Sequence, residues 1–188
     1  MTITQVRNPI VELLAAHLGC PVVLSDQTSD VSGYPYCYYS ILNPRDASHA
    51  FGLKEVQDGP EGPVMTRSEP VNATMSFTAC SQNRLSESGE TIFGEDEALE
   101  VADKAHGFFL LNGHNIATEY GDIVIRDVGK VASRTGFLVE DTVRRFGFDV
   151  KIGYVRTDEM PVLTIEHPGN PHGNYKKSKE EMDTWQKT

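Results

Sequence analysis

Side chains able to do acid–base work crowd into one stretch: Glu87, Glu90, Glu95, Asp96, Glu97, Glu100 and Asp103. Paired carboxylates act as acid and base when burial drives their pKa values apart. Most of these open a helix instead, where they complement its dipole from a solvated face, and that reading is preferred. The six histidines, His17, His49, His106, His114, His167 and His172, include no pair at the i, i+4 spacing of a helical metal site. His167 and His172 lie among Pro and Gly and would hold a metal only loosely. His106 sits just off the apolar face of the acidic helix and reads as a packed or rim residue. Cys20, Cys37 and Cys80 are odd in number and scattered, which argues against a disulfide framework or zinc cluster and for synthesis in a reducing compartment. No basic neighbour lowers the thiol pKa of Cys37 or Cys80, so both read as small buried hydrophobes. A glycine-rich phosphate loop and a GxSxG elbow are both missing. No catalytic, cofactor or metal residue is assigned.

One polar group stands out. Arg134, Arg144 and Arg145 bracket the acidic pair Glu140-Asp141. Arginines beside an antiparallel sheet can form forked pairs with carboxylates of a neighbouring subunit. The plainer alternative is a set of surface charges, each worth little. Phe51 and Trp185, the single tryptophan, are aromatic residues in polar surroundings and are candidates for docking on a partner.

The elements that position these residues follow from periodicity. Residues 6–18 predict a helix, with Asn8-Pro9 as its start, Ile10, Leu13, Leu14 and Leu18 on one face, and Gly19 as its stop. Val22–Leu24 and residues 34–42 predict strands. Residues 43–70 carry four prolines and three glycines and predict a long loop or hairpin insertion, with a small hairpin around Asp58-Gly59. Residues 71–80 alternate, with Val71, Ala73, Met75, Phe77 and Ala79 on one side. Glu95 to Leu111 is the best helix. Asp122–Val128 and residues 143–155 predict two more strands. In the second, Phe146, Phe148, Val150, Ile152 and Tyr154 face one way, while Gly147 and Gly153 opposite them mark a bulge or a close approach. The expected fold is α+β: a mostly antiparallel sheet of about four to five strands with two helices packed on one face. The expected organisation is a domain over 1–156 and an extended polar tail over 157–188, ending in a helical turn around Lys179–Trp185.

Length and charge set limits. A chain of 188 residues buries roughly 70% of its unfolded surface and needs no staple. A net charge of −10 makes it a poor nucleic-acid binder, because phosphate affinity comes from Lys and Arg. No apolar run approaches the length of a membrane span, and Met1 to Asn8 does not look like a secretory signal. The sequon at Asn72-Ala73-Thr74 falls in a predicted strand and is discounted.

Several segments together resemble the phage neck terminator family. They are VRNPIVELLAAHLGCPVVLSDQTSDVSGYPYCYYSI at the start, the strand VNATMSFTACS, the helix ALEVADKAHGFFLLNG, and GDIVIRDVGKVASRTGFLVEDTVRRFGFDVKIGYV with its Phe146-Gly147-Phe148-Asp149 core. The resemblance covers roughly residues 5–155. Two positions depart from the family pattern: Ser133-Arg134-Thr135 stands in place of Asn-Arg-Asp, and Val143 in place of Glu. It implies a structural protein of the virion neck or tail, made in the host cytoplasm. It also implies a ring, typically of six copies, that caps the tail tube, stops its growth and joins it to the head-side connector. The implied partners are further copies of the chain, tail tube and sheath proteins, and the connector or adaptor. Genomic DNA only passes through the lumen, and no membrane and no cofactor are involved. A head-completion or connector-adaptor protein is the nearest alternative, and a small enzyme a more distant one.

Overall fold

The computed structural model describes residues 1–27, 31, 33–47, 51–60, 62–112, 115–136 and 142–162. The first helix, α1 (Ile3–Leu18), begins earlier than Asn8-Pro9 suggests. Thr2 caps it: its hydroxyl accepts from the Gln5 amide and Gln5 reaches back to the Thr2 amide, a reciprocal capping box. Pro9 therefore lies inside the helix, and Gly19, at φ 69°, ends it in the left-handed conformation. Val6, Ile10 and Leu14 form its buried face.

The strands are β1 (Val22–Leu24), β2 (Tyr36–Ala47), β3 (Leu53–Gly59), β4 (Gly62–Gln82), β5 (Arg84–Leu85) and β6 (Thr91–Ile92). After the second helix, α2 (Gly94–Leu111), come β7 (Ile116–Thr118), β8 (Gly121–Val128), β9 (Ala132–Ser133) and β10 (Val143–Pro161). Eight strands make one sheet in the order β1-β2-β4-β10-β8-β7, with β3 on β4 and β9 on β10. The α+β class stands, but four to five antiparallel strands is an undercount. The sheet is mixed, because β1 runs parallel to β2. The added strands, β3, β7 and β9, have seven, three and two residues; pairing rather than local pattern holds them in place.

The centre of the sheet is the β4–β10 ladder, an unbroken register from Val143↔Gln82 to Pro161↔Val64. Residues 43–70 hold the second half of β2, all of β3 and the start of β4. β2 and β3 run along the same side of β4, and their pairing lapses between Ala47↔Val71 and Leu53↔Ser68. Pro70 falls at this lapse, where β4 has no neighbour on that side to receive an N–H. β10 continues through residue 156 to Pro161. The remainder of the tail, 163–188, lies outside the described residues.

Both helices cover one face of the sheet. The core joins Val6, Ile10 and Leu14 of α1 and Phe108 and Phe109 of α2 to Val71, Met75 and Phe77 of β4 and Phe148, Val150 and Ile152 of β10. Phe77, Phe109 and Phe148 form a mutual aromatic cluster with centroids 4.9–6.1 Å apart, within the range that adds to simple burial.

Candidate functional site

The sheet face away from the helices is polar and is built around two glycines. A Cβ on Gly147 would lie 2.7 Å from Thr78 Oγ1 and 3.0 Å from Arg134 Cδ, and would also meet the Phe77 carbonyl oxygen. A Cβ on Gly153 would lie 2.7 Å from Arg126 Nε. Each glycine thus clears a track along which an arginine lies flat on the sheet. Arg134 uses its track fully: it donates to Thr78 Oγ1 at 2.9 Å, to Ser76 Oγ, and to Asp149 Oδ1 at 2.7 Å. Ser76 also donates to Asp149 Oδ1 at 2.7 Å. Burial by itself would raise the Asp149 carboxyl, but the hydrogen bonds from Ser76 and Arg134 outweigh it and hold the group below the usual carboxylate range. A second knot joins α2 to the end of β4. Arg84 grips Glu97 at 2.7 and 2.8 Å, and Ser81 donates to the same carboxylate. The Arg84 hydrogen bonds keep the Glu97 carboxyl below its ordinary value.

Beyond the body, three strands continue as an arm: β3, residues 62–70 of β4, and residues 156–161 of β10. Nine residues at about 3.3 Å each make it roughly 30 Å long. Among its described residues only Glu69 is buried. Glu69 sits at the root, 2% exposed, and accepts from Arg45 and Arg67 on its two oxygens. Arg67 also binds Asp158 at 3.1 Å, and Arg156 binds Asp158 at 2.8 Å. The Arg156 hydrogen bonds, with Arg67 behind them, lower the Asp158 carboxyl. Two residue rows further out, Val56, Met65 and Met160 share the same face as Arg67 and Asp158.

The residues singled out in the sequence fall in different places. Arg134 and Arg145 are brought together by the β9–β10 pairing, where the Arg134 amide donates to the Arg145 carbonyl at 2.8 Å. The Arg134 guanidinium is engaged within its own chain. Arg145 stands opposite Cys80, on the polar face, and Arg144 stands opposite Ser81. Glu140, Asp141 and Trp185 lie outside the described residues. Phe51 is 85% exposed at the arm root, and its carbonyl accepts from Arg67 Nε at 2.6 Å. The sequence reading missed Glu69 and its arginines. Its partners lie 24 residues and two residues before it, and no local spacing reveals such a set.

The described surface offers little that resembles a reaction centre. The Cys37 and Cys80 side chains are buried, and burial pushes the Cys37 thiol up, away from the thiolate. His106 packs edge-on against Phe148 at 5.2 Å. Among the described residues no three His, Cys, Asp or Glu side chains are arranged to hold a metal ion, and no helix is long and apolar enough to cross a membrane. An open groove of about 500 Å³ on the polar face, between Pro70, Val124 and Val155, mixes Arg126 and Lys151 with Asp122 and Asp127. A mixed-charge, open groove of this kind suits contact with a surface.

No curated protein matches the chain. A family model described as phage neck terminator protein matches residues 8–174.

Proposed function

The chain belongs to the phage neck terminator family, and on that footing we propose that it is a ring subunit that caps the tail tube and joins it to the head-side connector. The family is that of a structural phage neck protein, which supports reading the chain as a component of the virion neck. In this reading copies associate head to tail, a heterologous contact whose rotation closes, and six is the expected number. The ring ends tube polymerisation, meets tube and sheath proteins on one side and the connector on the other, and leaves a channel for DNA. The strongly acidic chain suits that channel, since few cations are spare to hold phosphates.

The observation that carries the reading is the arm. A three-stranded extension with one buried residue, and that one charged, gains little from its own packing. Such an element makes sense when other molecules complete it. Arg144 and Arg145 at the start of β10, with Glu140-Asp141 in the same segment, remain the candidate subunit contact, and Phe51 and Trp185 the candidate docking residues. Mass photometry and negative-stain images, with and without tail tubes, test the proposal. Rings of one defined size are expected. Arg145→Glu is expected to leave the monomer folded, by circular dichroism, and to block ring closure. A chain that stays monomeric in both conditions overturns the proposal, and normal rings from Arg145→Glu remove that residue from the interface.

A further inference from the structure

The arm has two open backbone edges, and their placement is informative. On one side, among the described residues β3 pairs only with β4. On the other, β8 and β9 pair with β10 no further than Gly153. The Met1 ammonium reaches the Val155 carbonyl at 2.9 Å, and among the described residues Arg156–Pro161 have no strand beside them on that side. The two edges stand at the same height: Val56, Met65 and Met160 form one cross-strand row, and Glu55, Thr66 and Glu159 the next. They also run in the same direction, because β3 and β10 are both antiparallel to β4. The ends of the main sheet offer nothing comparable, since β1 and β7 have three residues each.

The two faces of the arm differ in charge. The cross-strand register puts Glu55, Gln57, Thr66, Ser68, Thr157 and Glu159 on one face together with the apolar Leu53, Val64 and Pro161, and that face has no Lys or Arg among the described residues. The opposite face carries Lys54, the Arg67–Glu69 and Arg156–Asp158 pairs, and the apolar Val56–Met65–Met160 row.

We propose that the arms form the wall of the channel: β3 of one copy pairs, in parallel, with the free edge of β10 in the next, and the Glu55–Thr66–Glu159 face lines the lumen. The proposal rests on the ring reading above and adds the joint and the lining. Rotation about an axis along the arm brings the two edges together without inverting either, and repeating it closes a barrel. Closure removes every open edge at once. With three strands from each of six copies the barrel has about eighteen strands, in the size class that encloses an aqueous channel. At about 4.8 Å between strands and a tilt of about 40°, that wall is roughly 36 Å across between backbones. A lining with two carboxylates per copy, polar and apolar groups and no Lys or Arg releases no counterions from passing phosphates, so DNA is not held. The ionic cluster and the apolar row then face outward, toward protein.

Paired cysteines test the joint. One cysteine replaces Lys54, Val56 or Asp58 and the other replaces Asp158 or Met160, a grid that allows for axial stagger between copies. Assembled rings are oxidised mildly and run on a denaturing gel beside the parent chain, which reports the background of Cys20, Cys37 and Cys80. The expected result is that at least one combination gives a covalent ladder ending at the ring size, while the single variants give none. Rings of normal size with no ladder from any combination overturn the joint and leave the ring reading standing. Failure of the parent chain to form rings, even with tail tubes, overturns both. The lining is tested by Glu55→Lys with Glu159→Lys: rings of unchanged size should retain a short DNA duplex at least tenfold better than the parent in low salt. Parent-like retention overturns the facing.

Discussion

Glu69→Ala isolates what holds the arm to the body. The carboxylate is 2% exposed and accepts from both Arg45 and Arg67. Removing one partner of a fully buried ion pair costs about 3–5 kcal/mol, chiefly because the remaining charge is stranded. Here the arginines are 38% and 25% exposed and can turn toward water. The cost should therefore drop to about 1–3 kcal/mol, the range for a polar group left without its partner. It should also be local, because no apolar residue of the arm is buried and the core cluster is not touched. Hydrogen exchange followed by mass spectrometry reads this directly. Amides of residues 53–60, 62–70 and 156–161 should exchange roughly 5- to 150-fold faster, while β4 beyond Val71 and α2 keep their protection. Global melting should shift little. Unchanged exchange in the arm would refute the reasoning, and so would a uniform loss of protection across the body, since either outcome means that Glu69 does not act where its contacts lie.

Three further outcomes follow from the same structure. Phe148→Ala removes a fully buried ring from the Phe77–Phe109 cluster and should cost roughly 3–5 kcal/mol in urea unfolding of the monomer; an unchanged midpoint would place Phe148 outside the core. Gly147→Val fills the track of Arg134 and meets the Phe77 carbonyl, so it should destabilise by about 1–3 kcal/mol even though valine favours strands; a stabilised variant in the same assay would show that the track is not needed. Asp149 and Glu97 both titrate below the usual carboxylate range when folded, so their stabilisation is complete above the ordinary carboxylate pKa and is lost as pH falls through the lowered values. Arg134→Met should therefore flatten the loss of stability between about pH 5 and pH 2 relative to the parent; parallel acid curves would show that Arg134 does not set the Asp149 carboxyl.

Much of the body was legible in the sequence because burial imposes a period. Phe148, Val150, Ile152 and Tyr154 alternate with small or charged residues, and they are the residues that meet the helices. The apolar spacing from Ala98 to Phe109 fixed the second helix almost to its ends. Gly147 and Gly153, read as a bulge or a close approach, are close approaches: the Phe77 carbonyl, Thr78 and Arg134 crowd Gly147, and Arg126 crowds Gly153. Errors arose where non-local pairing decides. Asn8-Pro9 looks like a helix start, yet the Thr2–Gln5 capping box initiates the helix a turn and a half earlier. Pro63 and Pro70 argue locally against a long central strand, but a neighbour on one side, β3 at Pro63 and β10 at Pro70, holds β4 extended through each of them. Arg134 was set beside Glu140-Asp141 because they are close in sequence, whereas its carboxylate is Asp149, brought near by β9 folding onto β10.

The β4–β10 ladder pairs 19 consecutive residues without a register shift, and it crosses from the body into the arm without a break. A hinge needs a place where the main chain can swivel without losing bonds, and this ladder has none on the β4–β10 side. The arm is accordingly joined to the body by continuous backbone pairing. The same two strands that carry the arm carry Phe77 and Phe148, so a contact made at the tip and the aromatic cluster under the helices belong to one backbone ladder.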